Sequence, residues 1–158
     1  MLERAEVSCV AGHGLVGDRY FRNDPSAKGQ ITFFAEEVFA ALRSALPEAG
    51  LSPAAARRNV VTSGVDLNEL IDEEFVIQGV RFQGVEECRP CDWMNRAYCA
   101  GARDILAGRG GLRARILSDG ILRVGGMTGA DAVVNCLTKV NSADRNRWYV
   151  GAGTSVNP

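Results

Sequence analysis

The feature that most constrains this chain is how often glycine interrupts it. Short runs rich in Val, Ile and Phe recur between glycines and turn residues: ITFF, RNVVTSGV, FVIQGVRFQGV and ARILSDGILRV. Such runs are too brief for stable helices, and their β-branched and aromatic side chains suit a pleated, half-buried surface. FVIQGVRF alternates apolar and polar residues across Gly79, the pattern of a hairpin with one wet face. SDG between ARIL and ILRV predicts a second hairpin turn. Two segments carry helical spacing instead. Residues 35–46 place Ala35, Val38, Phe39, Leu42, Ala45 and Leu46 on one stripe, with Glu36 and Glu37 at the positive end and Pro47 as the stop. A second helix is expected over 93–106, capped by Asp92, interrupted by Gly101 and ended by Gly108, Gly110 and Gly111. Short strands with two or three helices predict a mainly β fold, barrel-like or α+β, rather than a doubly wound parallel sheet.

At 158 residues the chain can bury a core without disulfide or metal staples. The net charge of −1 argues against broad binding to nucleic acid or anionic membrane, which needs a basic surface. No apolar run approaches a membrane span and MLERAEVSCV does not read as a signal peptide. The five scattered cysteines, Cys9, Cys88, Cys91, Cys99 and Cys136, do not form a secreted disulfide framework, so a reducing cytoplasm is the expected setting. Apart from Lys28 and Lys139, every basic residue is arginine. That bias fits recognition of an oxyanion by a planar guanidinium, but codon bias in a GC-rich genome is the preferred reading.

The segment VEECRPCDWMNRAYC carries the most chemistry. Cys91 sits between Pro90 and an expected helix start, with Arg89 nearby, a setting that favours a thiolate able to attack sulfur, carry persulfide or bind a soft metal. Cys88-Arg-Pro-Cys91 also has the spacing of a thiol-redox pair, yet it lies past mid-chain in β-rich surroundings rather than after a first strand. A closed zinc site needs four ligands, and only one such cysteine pair and one histidine, His13, are present. Cys9, Cys99 and Cys136 read as small core residues, while Cys88 is close enough to Cys91 to resolve a disulfide. The preferred reading is a single reactive or ligating Cys91.

The blocks GLVGDRYF, QITFFAEEV, ARRNVVTSGVDLNELI, FVIQGVRFQGVEECRPC and GARDILAGRGGLRARILSDGILRVG, in that order, resemble the stand-alone MOSC domain. The name comes from the carboxyl-terminal domain of molybdenum cofactor sulfurases. The likeness covers roughly residues 10–126, which gives a domain at 1–126 and an extension at 127–158 of unknown role. It implies a β-barrel-like fold related to the barrel of pyruvate kinase. It further implies binding of molybdenum cofactor, a molybdopterin with a terminal phosphate, and a cysteine that ligates molybdenum or carries sulfur, here Cys91. Some members of the family reduce N-hydroxylated bases or amidoximes; others are proposed sulfur carriers.

The residues in these blocks suit such a ligand. Arg19, Arg58 and Arg115 are cations for a pterin phosphate, Asp18 and Asn59 can bond pterin edges or orient those arginines, and Gly12, Gly14 and Gly17 permit a tight loop. Ordinary structural duties are open to the same residues: an Asp18–Arg19 loop ion pair, a strand start at Arg58–Asn59, a helix stop in GRGG, an Asp66 cap on LNEL, a solvated His13. The chain departs from the family at Tyr20, where a histidine often follows G-D-R, and at Gly126, where an acid often ends the last block. It has no aminotransferase-like portion, so no pyridoxal phosphate chemistry is expected. The expected function is molybdenum-cofactor binding with Cys91 as ligand or sulfur carrier, extending to reduction of N-hydroxylated substrates with an electron-transfer partner. The rivals are a noncatalytic protein that takes sulfur from a sulfur-donor protein and hands it from Cys91 to an apo-metalloenzyme, and a zinc or thiol-redox cysteine pair. A recessed Cys91 beside an arginine-lined pocket favours the cofactor; an exposed thiol without one favours the carrier.

Overall fold

The computed structural model describes residues 4–47 and 52–124, with the backbone of 137–139 and 147–150. The described chain is mainly β with three α-helices. Its principal sheet, a curled half-barrel, has the strand order β4-β3-β7-β6-β5-β10-β9. Those strands are β3 (Ile31–Ala35), β4 (Val60–Thr62), β5 (Glu74–Ile77), β6 (Val80–Glu87), β7 (Leu112–Ile116), β9 (Leu137–Lys139) and β10 (Arg147–Val150). A smaller sheet joins β1 (Glu6–Val10), β2 (Gly14–Leu15) and β8 (Gly120–Arg123) in the order β2-β1-β8.

The β5–β6 hairpin forms where the alternation predicts it. Gln78 and Gly79 both take positive φ, 50° and 82°, and Ile77 pairs with Val80 across them. Two left-handed residues in a two-residue loop match the twist of the strands on either side. Phe75 and Phe82 from this hairpin stack with ring centroids 5.5 Å apart, and Phe33 of β3 meets both edge-on. All three rings are buried, so this trio centres the main core. ITFF does not alternate, because β3 is buried on both faces: Phe33 enters the main core while Phe34 faces a second cluster. That cluster takes Phe39 and Leu42 from α1 (Glu36–Ala45), Met94 from α2 (Asp92–Ala97), and Ala102 of α3 (Ala102–Ile105) with Leu106. Helix α1 follows the expected stripe except that Ala45 is exposed.

Two expectations fail for physical reasons. The SDG turn does not make a hairpin: β7 lies in the large sheet, whereas β8 crosses to pair with β1. Ser118 Oγ instead accepts from Arg81 N, and Asp119 Oδ1 accepts from Ala11 N, so both turn side chains tie to other strands. The single helix over 93–106 is two helices broken at 98–101, where Gly101 takes φ +90°. Cys91, not Asp92, is the residue before α2, and Asp92 bonds Arg103 at 2.6 Å across the break. The cap at Asp66 does form: its Oδ1 accepts from Asn68 N at 2.9 Å. Most of the extension at 127–158, with Cys136, lies outside the described residues. The backbone of its two short strands continues the large sheet, β10 running parallel to β5.

Candidate functional site

Strand β6 ends at Glu87, and the chain must then cross from sheet to α2 within four residues. Arg58 holds that crossing. Its Nη2 donates to the Cys88 carbonyl (2.9 Å), its Nε to the Gly110 carbonyl (3.0 Å) and its Nη1 to the Ala56 carbonyl (2.8 Å). The Cys88 N–H donates to Gly111 O at 2.7 Å, and Gly110 N donates to Glu87 Oε1 at 3.1 Å. Gly110 lies so close to the Cys88 carbonyl and Pro90 that a Cβ there would collide with both. GRGG is therefore a wall of this crossing as well as a helix stop.

From this frame Cys88 is buried and Cys91 is exposed. The Cys91 carbonyl accepts from Met94 N at 2.8 Å, which anchors its backbone, while its thiol makes no capping bond. The helix it precedes has only six residues, so the dipole contribution expected from sequence is that of less than two turns. Arg89 beside it is exposed and enters no ion pair among the described residues. Trp93, two residues on, is fixed by its indole N–H donating to Ala55 O at 3.0 Å. The Arg57 guanidinium lies over that ring, 3.3 Å from its centroid. Ala54, Ala55, Arg57 and Trp93 line an open pocket of about 280 Å³.

A second polar assembly lies on the outer face of the large sheet. Asn59 Oδ1 accepts from both N and Oγ1 of Thr32, and Asn59 Nδ2 donates to Asp18 Oδ2 at 3.0 Å. Asp18 Oδ1 accepts from Tyr20 N at 2.8 Å, while Arg19 donates to and stacks on Tyr20. Asp18 thus binds Asn59 rather than pairing with Arg19. Thr32 stands opposite Arg113 in the β3–β7 register, and Arg115 opposite Gln83 in the β6–β7 register. Leu112, Ala114 and Ile116 point into the core, so Arg113 and Arg115 share the other face. Arg113 pairs with Glu86 at 3.2 Å, and the neighbouring Cys88 side chain, together with Glu86, holds its pKa above the ordinary arginine value. Arg115 Nε is buried without a hydrogen-bond partner.

Of the residues singled out from sequence, Asp18 and Asn59 meet directly. Arg115 occupies the same sheet's outer face, and Arg19 stands in the adjoining loop. Arg58 faces the Cys88–Gly110 crossing instead. His13 Nδ1 donates to Ala11 O at 2.9 Å, and its ring packs near Phe21. Cys9 is buried, which raises its pKa to about 11, and Cys99 is half-buried. Thr32, Arg57, Trp93 and Arg113 were not singled out. The alternation in LRARI was sufficient to pair Arg113 with Arg115; nothing local in sequence joins Arg57 to Trp93. Among the described residues no three His, Cys, Asp or Glu side chains converge as a metal site, and no helix is long and apolar enough to cross a membrane.

The sequence pattern of the MOSC domain matches residues 21–127. The chain belongs to the MOSC family. The matched span includes Cys91, Arg58, Asn59 and Arg115 and begins just after Asp18 and Arg19. Solved structures share the MOSC chain's fold at low identity. The YuaD protein from Bacillus subtilis is 16% identical, with TM-score 0.62 over 76% of this chain and 81% of that one. YiiM from Escherichia coli is 17% identical, with TM-score 0.58 over 75% of this chain and 58% of that one. YiiM from Geobacillus stearothermophilus is 15% identical, with TM-score 0.54 over 61% and 51% respectively. The chain therefore spans little more than half the length of the YiiM proteins. No curated protein matches the sequence.

Proposed function

We propose that this MOSC domain binds molybdenum cofactor, or a sulfurated precursor of it, and that Cys91 is its sulfur-handling residue. The family is associated with that cofactor. The residues fit the group on one observation above others: a buried Arg115 Nε with no partner is a donor left for an anionic ligand, since an orphaned buried donor is unfavourable. Arg115 and Arg19 would hold the terminal phosphate, with Asp18 and Asn59 orienting the pterin. Arg58 supports the reading as scaffold, because its Nε, Nη1 and Nη2 already serve backbone carbonyls. The cofactor, when bound, would supply two-electron redox chemistry at molybdenum. The protein would supply a soft thiolate and fixed cations.

Two roles are open to Cys91, ligand or carrier. Its exposure favours the carrier, because a thiol that exchanges sulfur with a donor protein must be reachable. Reduction of N-hydroxylated substrates would need an electron-transfer partner, since no flavin or nicotinamide fingerprint is present in the sequence. Both activities belong within a cytoplasmic setting. The test is molybdenum and pterin content of wild type, Cys91→Ser and Arg115→Met purified from a cofactor-producing host. Retention by wild type and loss in Arg115→Met supports cofactor binding at this face. Loss in Cys91→Ser makes Cys91 a ligand, and retention leaves it the carrier. Cofactor-free wild type removes the cofactor and leaves sulfur delivery alone.

A further inference from the structure

We propose that the Arg57–Trp93 pocket recognises the oxyanion end of a small sulfur donor, a thiosulfate or thiosulfonate, and presents its outer sulfur to Cys91. The inference rests on the sulfur-handling role of Cys91 and adds the class of donor.

Arg57 is placed at some conformational cost. It closes the 3-10 turn Pro53–Ala56 in the left-handed region, φ 56° and ψ 39°, a position where glycine is the default. A non-glycine residue is strained there, and such outliers concentrate where a side chain is needed for a task. The side chain that results is a guanidinium flat against an indole. Stacking covers one face and leaves the edge, where the N–H donors point, free of the ring. Arg57 makes no side-chain hydrogen bond or ion pair with any described residue, in contrast to Arg58 next to it. The platform beneath is rigid, since the indole N–H is tied to Ala55 O and Met94 is buried behind it.

A fixed planar fork of free donors matches two oxygens of a sulfonate or carboxylate. The pocket at about 280 Å³ admits a small ligand, and its lining residue Trp93 is two residues from the exposed Cys91. Arg89, exposed beside Cys91 and free of ion pairs among the described residues, adds positive charge for a dianion. Thiosulfate combines an oxyanion with a transferable sulfur in one small molecule. The Cys91 thiolate attacks the outer sulfur, the S–S bond breaks, and its electron pair leaves with sulfite. The thiol proton goes to solvent, and Cys91 holds a persulfide. Thiol plus thiosulfate gives persulfide plus sulfite, with no external oxidant or reductant.

The experiment has a binding arm and a transfer arm. In a Trp148→Phe background, sodium thiosulfate and sodium sulfate are titrated at matched ionic strength while Trp93 emission is followed. The proposal expects saturable responses to both anions, weakened by about tenfold or more in Arg57→Gly, which keeps the backbone relaxed, and partly restored in Arg57→Lys. Cys91→Ser should bind thiosulfate as wild type does. In the transfer arm, intact mass after thiosulfate treatment should show one added sulfur atom and one sulfite released per chain. The addition should be absent in Cys91→Ser and at least about tenfold slower in Arg57→Gly. No saturable response, a response indifferent to Arg57, or binding without sulfur on Cys91 overturns the proposal. Loading Cys91 with inorganic polysulfide, which has no oxyanion, separates the two claims. If polysulfide loads Cys91 and thiosulfate does not, the donor class is wrong and the sulfur-handling role stands; if neither loads it, both fall.

Discussion

Replacing Arg58 by methionine keeps the aliphatic stem and removes three hydrogen bonds at 2.8 to 3.0 Å. Each runs from a charged donor to a backbone carbonyl in a half-buried setting. Such bonds contribute roughly 1 kcal/mol net where water can partly replace the donor, and more where it cannot. The carbonyls of Ala56, Cys88 and Gly110 belong to three separate segments, so no small local shift can satisfy all of them at once. The expected loss is therefore about 3 kcal/mol, or a fall in Tm of about 6–12 °C for a domain of this size. Arg58→Lys should lose about 2 kcal/mol, because one ammonium cannot span three carbonyls in a fixed fork. Urea unfolding followed by tryptophan emission measures both, and an unchanged m-value would show that the native state is weakened rather than reshaped. A loss under about 1 kcal/mol in Arg58→Met would refute the clamp. If the variants stayed stable but lost pterin, Arg58 would return to the phosphate.

Gly84→Ala should abolish folding or cost well over about 3 kcal/mol, since its Cβ would run into the Leu70 carbonyl; circular dichroism and expression in the soluble fraction report it. Asp66→Ala removes the bond to Asn68 N and should cost about 1 kcal/mol in urea unfolding. Burial raises the Cys9 pKa from 9.0 to about 11, so the folded state keeps a proton that the unfolded chain releases first. Stability from this group is complete below pH 9 and lost as pH rises toward 11, and Cys9→Ala should flatten that stretch of the stability–pH curve. Iodoacetamide at neutral pH should modify Cys91 first and leave Cys9 and Cys88 unmodified until the protein unfolds, as peptide mapping would show.

What the sequence revealed and what it hid divide along physical lines. Periodicity announced the β5–β6 hairpin and helix α1, because one buried face imposes a repeat on the residues themselves. The capping oxygen of Asp66 was equally legible, being a contact two residues long. The SDG turn misled because a turn dipeptide specifies local backbone, whereas the destination of β8 depends on Val80 packing against Gly120 and on Asp119 reaching Ala11. Gly101 was noticed as an interruption, yet the two bonds across it, from Arg103 to Asp92 and from Arg103 N to Asn95 Oδ1, explain why two short helices are held side by side.

The adjacent arginines make the same point about the site. Arg57 and Arg58 are chemically identical and one residue apart, and composition cannot distinguish them. Their backbone conformations send one guanidinium inward to three carbonyls and the other outward onto an indole. The inner arginine fixes the Cys88–Pro90 crossing, and Gly110 seals it from the far side. Cys91 emerges from that crossing on a backbone anchored by Met94 N, exposed yet narrowly placed. The proposed carrier role needs that combination, since its thiol would meet a donor on one side and an acceptor on the other. An exposed cysteine on a loose loop would be reachable without being positioned, and a buried one would be positioned without being reachable. If the proposed donor site holds, the adjacent Arg-Arg pair divides the labour, Arg58 for the frame and Arg57 for what approaches it.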